Sequence, residues 1–324
     1  MVNKGLIARL TPIVLAKTVS GMVSVVMPIY GVFNTERTLL AIDSIKAQKG
    51  VEFEIVISEQ NETPKFQHLA ELMGVRYVFE QHIPLPHLSD FDPGRVRNNA
   101  VSASKGEFLY TNDADVLFQN SFYLRDLTEL LKENPDLALY RPPMRRLLLE
   151  CFEEFKRRAS EKGVSEALDS LNRRQEYIAK TDDVERVLKV VTKNKGGHEK
   201  TFTTSWEDFQ RYLSDPSLKG AEPTIWTQDL HCGGNFIRRA QYDLVGGYSQ
   251  EFVNWGCEDS DLQWKLSEVF DLMQIPYERR FEVLHLDHPK GYFAKEMWKR
   301  NEEISARRKQ EGVITAITTD RRSK

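Results

Sequence analysis

The sequence predicts an α/β fold with a mostly parallel sheet and helices on both of its faces. Two observations support this prediction. β-branched, apolar runs alternate with segments of helical spacing, and an acidic pair directly follows one of these runs. Strands that alternate with helices form parallel sheets, whose ligands bind at the carboxyl ends of the strands. The 324 residues, 40% of them hydrophobic, suffice for one large domain or two modest ones.

The predicted elements of the first half follow one another in strict alternation. Strands are predicted over 23–30, 53–57, 75–79 and 108–111, and helices over 36–48, 66–73 and 95–104. In the second half, the sequence predicts a strand over 232–237, a short helix over 239–245, an amphipathic segment over 262–270 and a strand over 281–286.

A charge-rich stretch separates the two halves. Residues 145–200 are dense in Lys, Arg, Glu and Asp, with helical spacing at Val184, Leu188 and Val191. This pattern favours an insertion made of solvated helices, and an insertion that covers an acceptor site is the alternative.

Composition excludes several classes of function. The net charge of −3 leaves no general basic surface for nucleic acid. The three cysteines, Cys151, Cys232 and Cys257, are too few and too widely spaced for a disulfide framework or a zinc site, which indicates a reducing compartment. A glycine-rich dinucleotide motif and a P-loop lysine motif are both missing, which argues against those two nucleotide-binding folds.

The N-terminal segment 6–16 is apolar but interrupted by Arg9 and Pro12, and it is too short to span a membrane. We favour a helix packed on the domain over an interfacial helix that contacts a membrane. The predicted location is therefore the cytoplasm, with the inner face of the membrane as the alternative.

The acidic pair Asp113 and Asp115 follows the apolar run 108–110. Residues i and i+2 of a strand point to the same side, so both acids are expected to face one pocket. Two hard oxygen ligands suit Mg²⁺ or Mn²⁺ carrying a phosphate. The alternative is a polar turn that holds two aspartates by chance.

Two further blocks carry chemistry. In the first, Gly233 and Gly234 enter a strand, and an aromatic-acidic run then begins at Trp255. Acidic residues at the start of a helix interact favourably with the helix dipole, and we prefer this interpretation for Asp261. A tryptophan beside adjacent carboxylates also suits the binding of a sugar. In the second, a strand ends near His285 and His288, which are either ordinary structural residues or metal ligands.

Taken together, these blocks resemble the GT-A-type nucleotide-sugar glycosyltransferases. The N-terminal half is similar to the bacterial inverting family 2, and the C-terminal half to the galactosyltransferase type. The resemblance covers residues 22–135 and 228–292. The motifs that carry it, in family order, are Val-x-Met-Pro-Ile-Tyr, Arg97-Asn98-Asn99-Ala100, Asp113-Ala114-Asp115, Gly233-Gly234-Asn235-Phe236, Trp255-Gly256-Cys257-Glu258-Asp259 and His285.

The resemblance implies a set of residues that bind the nucleotide-sugar donor. These are Pro28 and Tyr30 at the base, Glu59 where the family usually has an aspartate that reads uracil, Arg97 at the diphosphate, Asp113 at the ribose or donor sugar, and Gly234 at the sugar. The departure at Glu59 leaves the base less certain, although glutamate can accept the same hydrogen bond.

The resemblance also implies the metal and acceptor residues. Asp115 and His285, together with Asp113, are expected to bind Mn²⁺ or Mg²⁺, with His288 as the rival of His285. Trp255 and Glu258 should hold the acceptor, and Asp259 matches the family's general base. A mobile loop around Trp255 could exclude water.

The implied function is metal-dependent, inverting transfer of a sugar from a UDP-sugar to an acceptor hydroxyl, as in polysaccharide biosynthesis. The acceptor is of carbohydrate type: a glycan, a lipid-linked sugar or a protein. The alternatives are a nucleotidyltransferase and a non-catalytic sugar-nucleotide-binding module. The expected segments are a helical segment 1–21, a donor-binding part 22–144, a helical insertion 145–227, an acceptor-binding and catalytic part 228–292, and a helical tail 293–324.

Overall fold

The chain, seen here in a computed structural model, builds two seven-stranded sheets. The strands are β1 Val19–Tyr30, β2 Phe53–Asn61, β3 Arg76–Gln81, β4 Gly106–Thr111, β5 Val116–Phe118, β6 Leu137–Tyr140, β7 Pro143–Leu147, β8 Glu176–Thr181, β9 Leu188–Lys193, β10 Glu199–Thr204, β11 Ile225–Leu230, β12 Asn235–Arg238, β13 Asp271–Gln274 and β14 Val283–Leu286. The helices are α1 Thr35–Lys46, α2 Gln67–Leu72, α3 Pro93–Ala103, α4 Tyr123–Glu133, α5 Phe152–Lys162, α6 Val164–Leu171, α7 Arg239–Leu244, α8 Glu258–Val269, α9 Lys295–Glu311 and α10 Val313–Arg322.

The structure describes residues 5, 10, 17–30, 35–82, 91–147, 149–171, 176–181, 188–193, 199–204, 225–288 and 295–323. Most of the predicted N-terminal helix and of the proline-rich loop before α3 lies outside the described residues. Within the described part of the chain, no helix combines the length and the apolar character needed to cross a membrane.

The central sheet confirms the predicted fold class. Its order is β13-β6-β12-β4-β1-β2-β3. β1 pairs in parallel with β2 on one side and with β4 on the other, and β12 is antiparallel to both of its neighbours. The strand order therefore reverses at β1, and the crevice at such a switch point is where open α/β sheets bind ligands.

Strand β1 forms where it does because its β-branched run is buried on both faces. Residues 22–29 are all buried, which is the pattern of a parallel strand covered by helices on each side. Helix α1 turns Leu40, Ile42 and Ile45 inward, and these join the same hydrophobic cluster as Val25. The apolar spacing read from the sequence thus sets the layer that supports the carboxyl end of β1.

The second sheet, in the order β10-β9-β8-β11-β7-β14-β5, brings distant parts of the chain together. β14 lies between β5 and β7 and pairs antiparallel with the first and parallel with the second. In this register His285 lies beside Val116 and Arg146. The sheet therefore delivers His285 directly to the residue that follows Asp115.

Among the described residues of the predicted helical insertion, helices lie only in its first part. Helices α5 and α6 pack into the core through their buried aromatic and aliphatic residues. The later part contains the antiparallel strands β8, β9 and β10, so Leu188, which we predicted on a helix, lies on β9 together with Val191. The consecutive β-branched residues 190–192 favour a strand over a helix. Val184 lies outside the described residues.

Candidate active site

The two aspartates of the acidic pair lie in the turn that joins β4 to β5. β4 ends at Thr111, before either acid, and β5 begins at Val116. The strand-alternation rule that predicted one shared direction therefore does not apply. Asp113 contacts Arg97 and His231, whereas Asp115 contacts two histidines. The pair supplies two neighbouring clusters instead of one.

Arg97 on α3 is the centre of the first cluster. Its side chain is fully buried, and Nη2 donates to Asp113 Oδ1 at 2.5 Å. Nη1 lies 3.5 Å from Glu258 Oε1 and 3.7 Å from Asp259 Oδ1. His231 Nε2 lies 2.9 Å from the second oxygen of Asp113. One guanidinium thus links the turn after β4 to the start of α8.

The charges of this cluster follow from its contacts. Burial opposes ionisation of Asp113, but Arg97 and the hydrogen bond from His231 outweigh it and hold the pKa of Asp113 well below its usual range. Burial likewise opposes the charge of Arg97, but the surrounding acids, Asp259 foremost, raise its pKa well above the usual value. Asp113 and Arg97 are therefore a permanent ion pair.

Glu258 and Asp259 open helix α8 and have the opposite character. Burial, reinforced by the adjacent Asp259, raises the pKa of Glu258 to about 8, against the effect of Arg97. Burial also raises the pKa of Asp259 above its ordinary value. Glu258 Oε2 accepts a hydrogen bond from the Gly256 amide at 2.8 Å. A carboxyl group with a raised pKa is suited to exchanging protons near neutral pH.

Tyr248 orients Asp259. Its hydroxyl donates to Asp259 Oδ1 at 2.9 Å, and its ring lies under Arg97, 5.3 Å from the guanidinium carbon. Asn98 fixes the backbone of Tyr248 at both ends, because Nδ2 donates to the Tyr248 carbonyl and Oδ1 accepts from its amide. Among the described residues, Asp259 Oδ2 has no hydrogen-bond partner, so this oxygen is the one left for a ligand.

The second cluster fits a metal ion. Asp115, His285 and His288 each offer one ligand atom, and these atoms all lie within 4.8 Å of one another. Asp115 Oδ2 is 2.9 Å from His288 Nε2 and 3.6 Å from His285 Nε2. The two histidines, which the sequence left as rivals, are therefore both placed to bind. Their carboxylate and imidazole donors are usual ligands of divalent cations.

Asp113, which we also predicted as a metal ligand, is not part of this group. Both of its oxygens already accept hydrogen bonds, one from Arg97 and one from His231. The physical reason is the turn between β4 and β5, which directs the two acids to different neighbours, and a role of Asp113 at the metal ion remains a prediction.

Two arginines contact the segment that carries the histidines of the metal cluster. Arg146 on β7 donates from Nη1 to Asp287 Oδ1 at 3.0 Å and lies 3.1 Å from His285 Nδ1. Arg37 on α1 donates to the Asp287 carbonyl at 2.9 Å. These contacts fix the segment that carries both histidines, as outer partners of metal ligands commonly do.

Gly233 and Gly234 are glycines for different structural reasons. A side chain at Gly234 would collide with the Pro142 ring at 2.6 Å, so this glycine is required by packing. A Cβ at Gly233 would instead sit 3.0 Å from Asp113 and 3.1 Å from Arg97. Thr111 holds this backbone in place by donating to the Gly233 carbonyl at 2.6 Å. Gly233 is thus the glycine that borders the charged cluster.

Glu59 has a structural role that the sequence did not indicate. It lies on β2, is fully buried, and accepts hydrogen bonds from the Tyr77 hydroxyl, the Phe66 and Lys65 amides and the Asn61 side chain. These contacts anchor the start of α2. Its role as the reader of the base remains a prediction.

The other predicted donor and acceptor residues lie around the ends of β1 and α8. Pro28 is buried and pairs with Ser58, while Tyr30 at the end of β1 is half-buried. The Tyr30 ring is 5.4 Å from Phe91, which in turn is 5.9 Å from Trp255. A continuous row of three aromatic rings therefore connects the end of β1 with the segment before α8.

Three residues of the site had no role in the sequence-based reading. They are His231, Tyr248 and Asn98, which position Asp113 and Asp259 through contacts between residues far apart in sequence. Their neighbours were visible as motifs, since His231 precedes the glycine pair and Tyr248 ends the Gly-Gly-Tyr turn. The pairings themselves required the fold.

Comparisons with known proteins define the class. Residues 24–148 match the family model described as glycosyl transferase family 2, and residues 221–288 match the one described as N-terminal domain of galactosyltransferase. Together with the sheet and the acid-lined crevice, these matches support the predicted glycosyltransferase with a GT-A fold. Residues 24–148 thus resemble glycosyl transferase family 2, and the segment after the insertion resembles the galactosyltransferase type.

Solved structures give a similar but more distant relationship. The S. aureus TarS crystal structure has 13% identity and a TM-score of 0.41, covering 83% of this chain and 37% of that one. TarS 1-349 in complex with UDP has 14% identity and a TM-score of 0.43, covering 81% and 60%. The mannosyltransferase PcManGT from Pyrobaculum calidifontis, in complex with GDP-Man and Mn²⁺, has 13% identity and a TM-score of 0.46, covering 87% and 62%. This chain thus spans less than two thirds of the length of these structures. A search of the curated proteins gave no match.

Proposed function

We propose that this glycosyltransferase moves a sugar from a UDP-sugar to an acceptor hydroxyl with inversion of the anomeric configuration and with the help of a divalent metal ion. The observation that carries the proposal is the position of Asp259. Asp259 lies in a cluster in which Arg97 links its Oδ1 to Asp113, two residues before the metal cluster at Asp115. A base and a metal-diphosphate site are therefore neighbours, as direct displacement requires.

Asp115, His285 and His288 would hold the metal ion. Because two of the three donors are imidazoles, the set favours Mn²⁺ over Mg²⁺, which prefers oxygen ligands. When bound, such an ion stabilises the negative charge that develops on the departing diphosphate. Proton transfer and acceptor binding are assigned to the protein side chains.

Asp259 is the proposed general base. Tyr248 holds one carboxylate oxygen, so the other is directed toward the site and can accept the proton of the attacking hydroxyl. The raised pKa of Asp259 strengthens it as a base while it remains able to ionise. Arg97, which we predicted at the diphosphate, is fully buried beside Asp113. We therefore propose that its main role is to compensate the charge of the neighbouring acids rather than to contact the donor.

Trp255, Glu258 and the adjoining aromatic row are the proposed acceptor side. An indole ring suits stacking on the face of a sugar ring, and a carboxyl group can hold its hydroxyls. The proposed acceptor is therefore of carbohydrate type, and Tyr30 and Pro28 would line the base of the nucleotide at the switch point.

The test is the stereochemistry of the product. A panel of α-linked UDP-sugars with Mn²⁺, followed by measurement of UDP release, identifies the donor and separates a transferase from a nucleotidyltransferase or a binding module. The anomeric proton coupling in the NMR spectrum of the product should then show a β-linkage. An α-linked product would contradict the assignment of Asp259.

Asp259→Asn is the matching variant. It should keep UDP binding and lose roughly 10²–10⁴-fold in turnover, because the amide keeps the shape but cannot take the proton. Glu258→Gln serves as the comparison and should weaken acceptor binding more than donor binding. Near-normal turnover of Asp259→Asn would exclude Asp259 as the base.

A further inference from the structure

The loop of residues 253–257, here called the Trp255 loop, has an unusual backbone. Asn254, Gly256 and Cys257 all have positive φ angles, at 62°, 115° and 70°. Two of these residues are not glycine, and a residue with a side chain adopts this region only when its surroundings hold it there. The contacts that hold this loop come mainly from the C-terminal tail, outside the residues that match the two family models.

Asn301 on α9 is the principal contact. Its side chain is fully buried, and Nδ2 donates to the Val253 carbonyl at 3.0 Å and the Gly256 carbonyl at 3.1 Å. The Trp255 carbonyl lies 3.5 Å from the same nitrogen. A single amide therefore spans the loop. On the other side, the Asn254 amide donates to the Phe91 carbonyl at 2.9 Å.

Trp298, one turn before Asn301, closes the remaining space. A Cβ on Gly256 would lie 2.5 Å from the Trp298 ring, so loop and helix are in direct contact at this point. The Trp255 loop, which precedes helix α8, is thus enclosed by α9, Phe91 and the side chain of Glu258.

Arg308, two turns further along α9, fixes the chain on both sides of the loop. It donates to both oxygens of Asp261 on α8, at 2.8 and 3.1 Å, and to Glu251 before the loop at 2.6 Å. Arg308 and Asp261 are both about 1% exposed. The loop ends therefore cannot separate without breaking one of these two ion pairs of Arg308.

We infer that the Trp255 loop is a fixed wall of the site and that Asn301 is the positioning residue that holds it. This differs from the mobile closing loop that the sequence allowed. The inference rests on the proposed function only in treating Trp255 as part of the acceptor side. Its consequence is that the acceptor side is formed before the donor binds.

Hydrogen–deuterium exchange followed by mass spectrometry tests this in two arms. In the first, wild-type protein is compared with and without UDP and Mn²⁺, and peptides covering 251–258 should change their exchange by less than about twofold. Slowing by about tenfold or more on adding UDP and Mn²⁺ would show a lid and overturn the inference.

In the second arm, ligand-free Asn301→Ala is compared with wild type. Exchange in 251–258 should rise by about tenfold or more, while the strands β1, β2 and β4 stay protected and the Kd of UDP stays within about twofold. Glu303→Ala, an exposed position on the same helix, is the control and should change nothing. Unchanged exchange in folded Asn301→Ala would remove Asn301 from this role.

The two proposals fail separately. If UDP does not bind in calorimetry, the proposed function is wrong, but the ligand-free comparison still decides whether Asn301 positions the loop. If Asn301→Ala does not fold, the wild-type arm alone decides between wall and lid.

Discussion

Arg97 faces three carboxyl groups at the centre of the site. It forms a close pair with Asp113 and lies further from Glu258 and Asp259. Because one positive charge cannot compensate three negative ones in a buried place, the proton stays on Glu258 up to a pKa of about 8. The acidity of the site is therefore set by contacts and not by residue type.

This protonation predicts how stability depends on pH. The pKa of Glu258 is about 8 in the folded protein against 4.5 ordinarily, so the unfolded chain loses this proton first. Between these values the folded state binds more protons, and the free energy of unfolding falls as pH rises, by up to about 1.4 kcal/mol per pH unit for one group. Glu258→Gln should flatten this decline in urea titrations at pH 5 to 8, while Asp259 keeps part of it.

Glu268→Gln on the exposed side of the same helix is the matched control. It should leave the pH dependence as in the wild type. Parallel curves for wild type and Glu258→Gln would mean that Glu258 is ionised across the whole range.

The metal cluster gives a second prediction at this scale. Asp115→Ala should abolish Mn²⁺ binding in calorimetry and remove nearly all activity, and His285→Ala and His288→Ala should each weaken binding by roughly tenfold or more. The exposed Asp169→Ala is the control. Unaltered Mn²⁺ affinity in His288→Ala would leave His285 as the sole imidazole ligand, and full activity in EDTA would exclude the metal altogether.

Glu59 illustrates what residue-level reading from sequence achieves. Its place after the second strand is visible, but its four hydrogen-bond donors come from β2, β3 and the turn before α2. We expect Glu59→Ala to lower the midpoint of urea unfolding, because each buried donor left without an acceptor costs about 1–3 kcal/mol. UDP should bind more tightly than GDP or ADP, and a narrower gap in Glu59→Ala would support its role as base reader as well.

At the scale of elements, α8 and α9 are joined by a buried ionic network. Arg308 donates to Asp261 and Asp320, and Lys265 is also paired with Asp320. Asp261 was predicted as a partner of the helix dipole, and it does lie in the first turn of α8. Its bidentate bond to Arg308 adds a tertiary role that its place in the sequence did not reveal.

Adjacent arginines make this network testable. Arg308→Ala leaves Asp261 and Asp320 short of their partner in a buried place, so the free energy of unfolding should fall by about 3–5 kcal/mol in urea denaturation. Arg307, also paired with Glu251 but half exposed, is the control, and Arg307→Ala should have a far smaller effect. Equal effects of the two variants would refute the importance of the network.

Element type was predictable wherever apolar spacing was strong. The alternation of β1, α1, β2, α2, β3, α3 and β4 follows the sequence-based assignment to within a few residues. It failed in β9, because the spacing of Leu188 and Val191 also matches a helix, whereas the β-branched run 190–192 favours a strand. The pairing of β14 between β5 and β7 joins residues far apart in sequence, so no local pattern could indicate it.

At the scale of the whole molecule, the site is strongly acidic while the chain is nearly neutral, with a net charge of −3. The carboxylates of Asp115 and Asp259 would repel a diphosphate, so we expect nucleotide and metal ion to bind cooperatively. UDP with Mn²⁺ should raise the melting temperature by more than the sum of the two separate shifts. Additive shifts would show that the donor binds without the metal ion.

The position of β14 has a consequence for the synthesis and folding of the protein. The ribosome delivers Asp115 well before His285 and His288, yet β14 must enter between β5 and β7 to complete the second sheet. Until then the nascent chain carries an aspartate with no imidazole beside it and a sheet with a missing strand. The proposed metal site can therefore be completed only after β14 and the residues up to His288 have been synthesised.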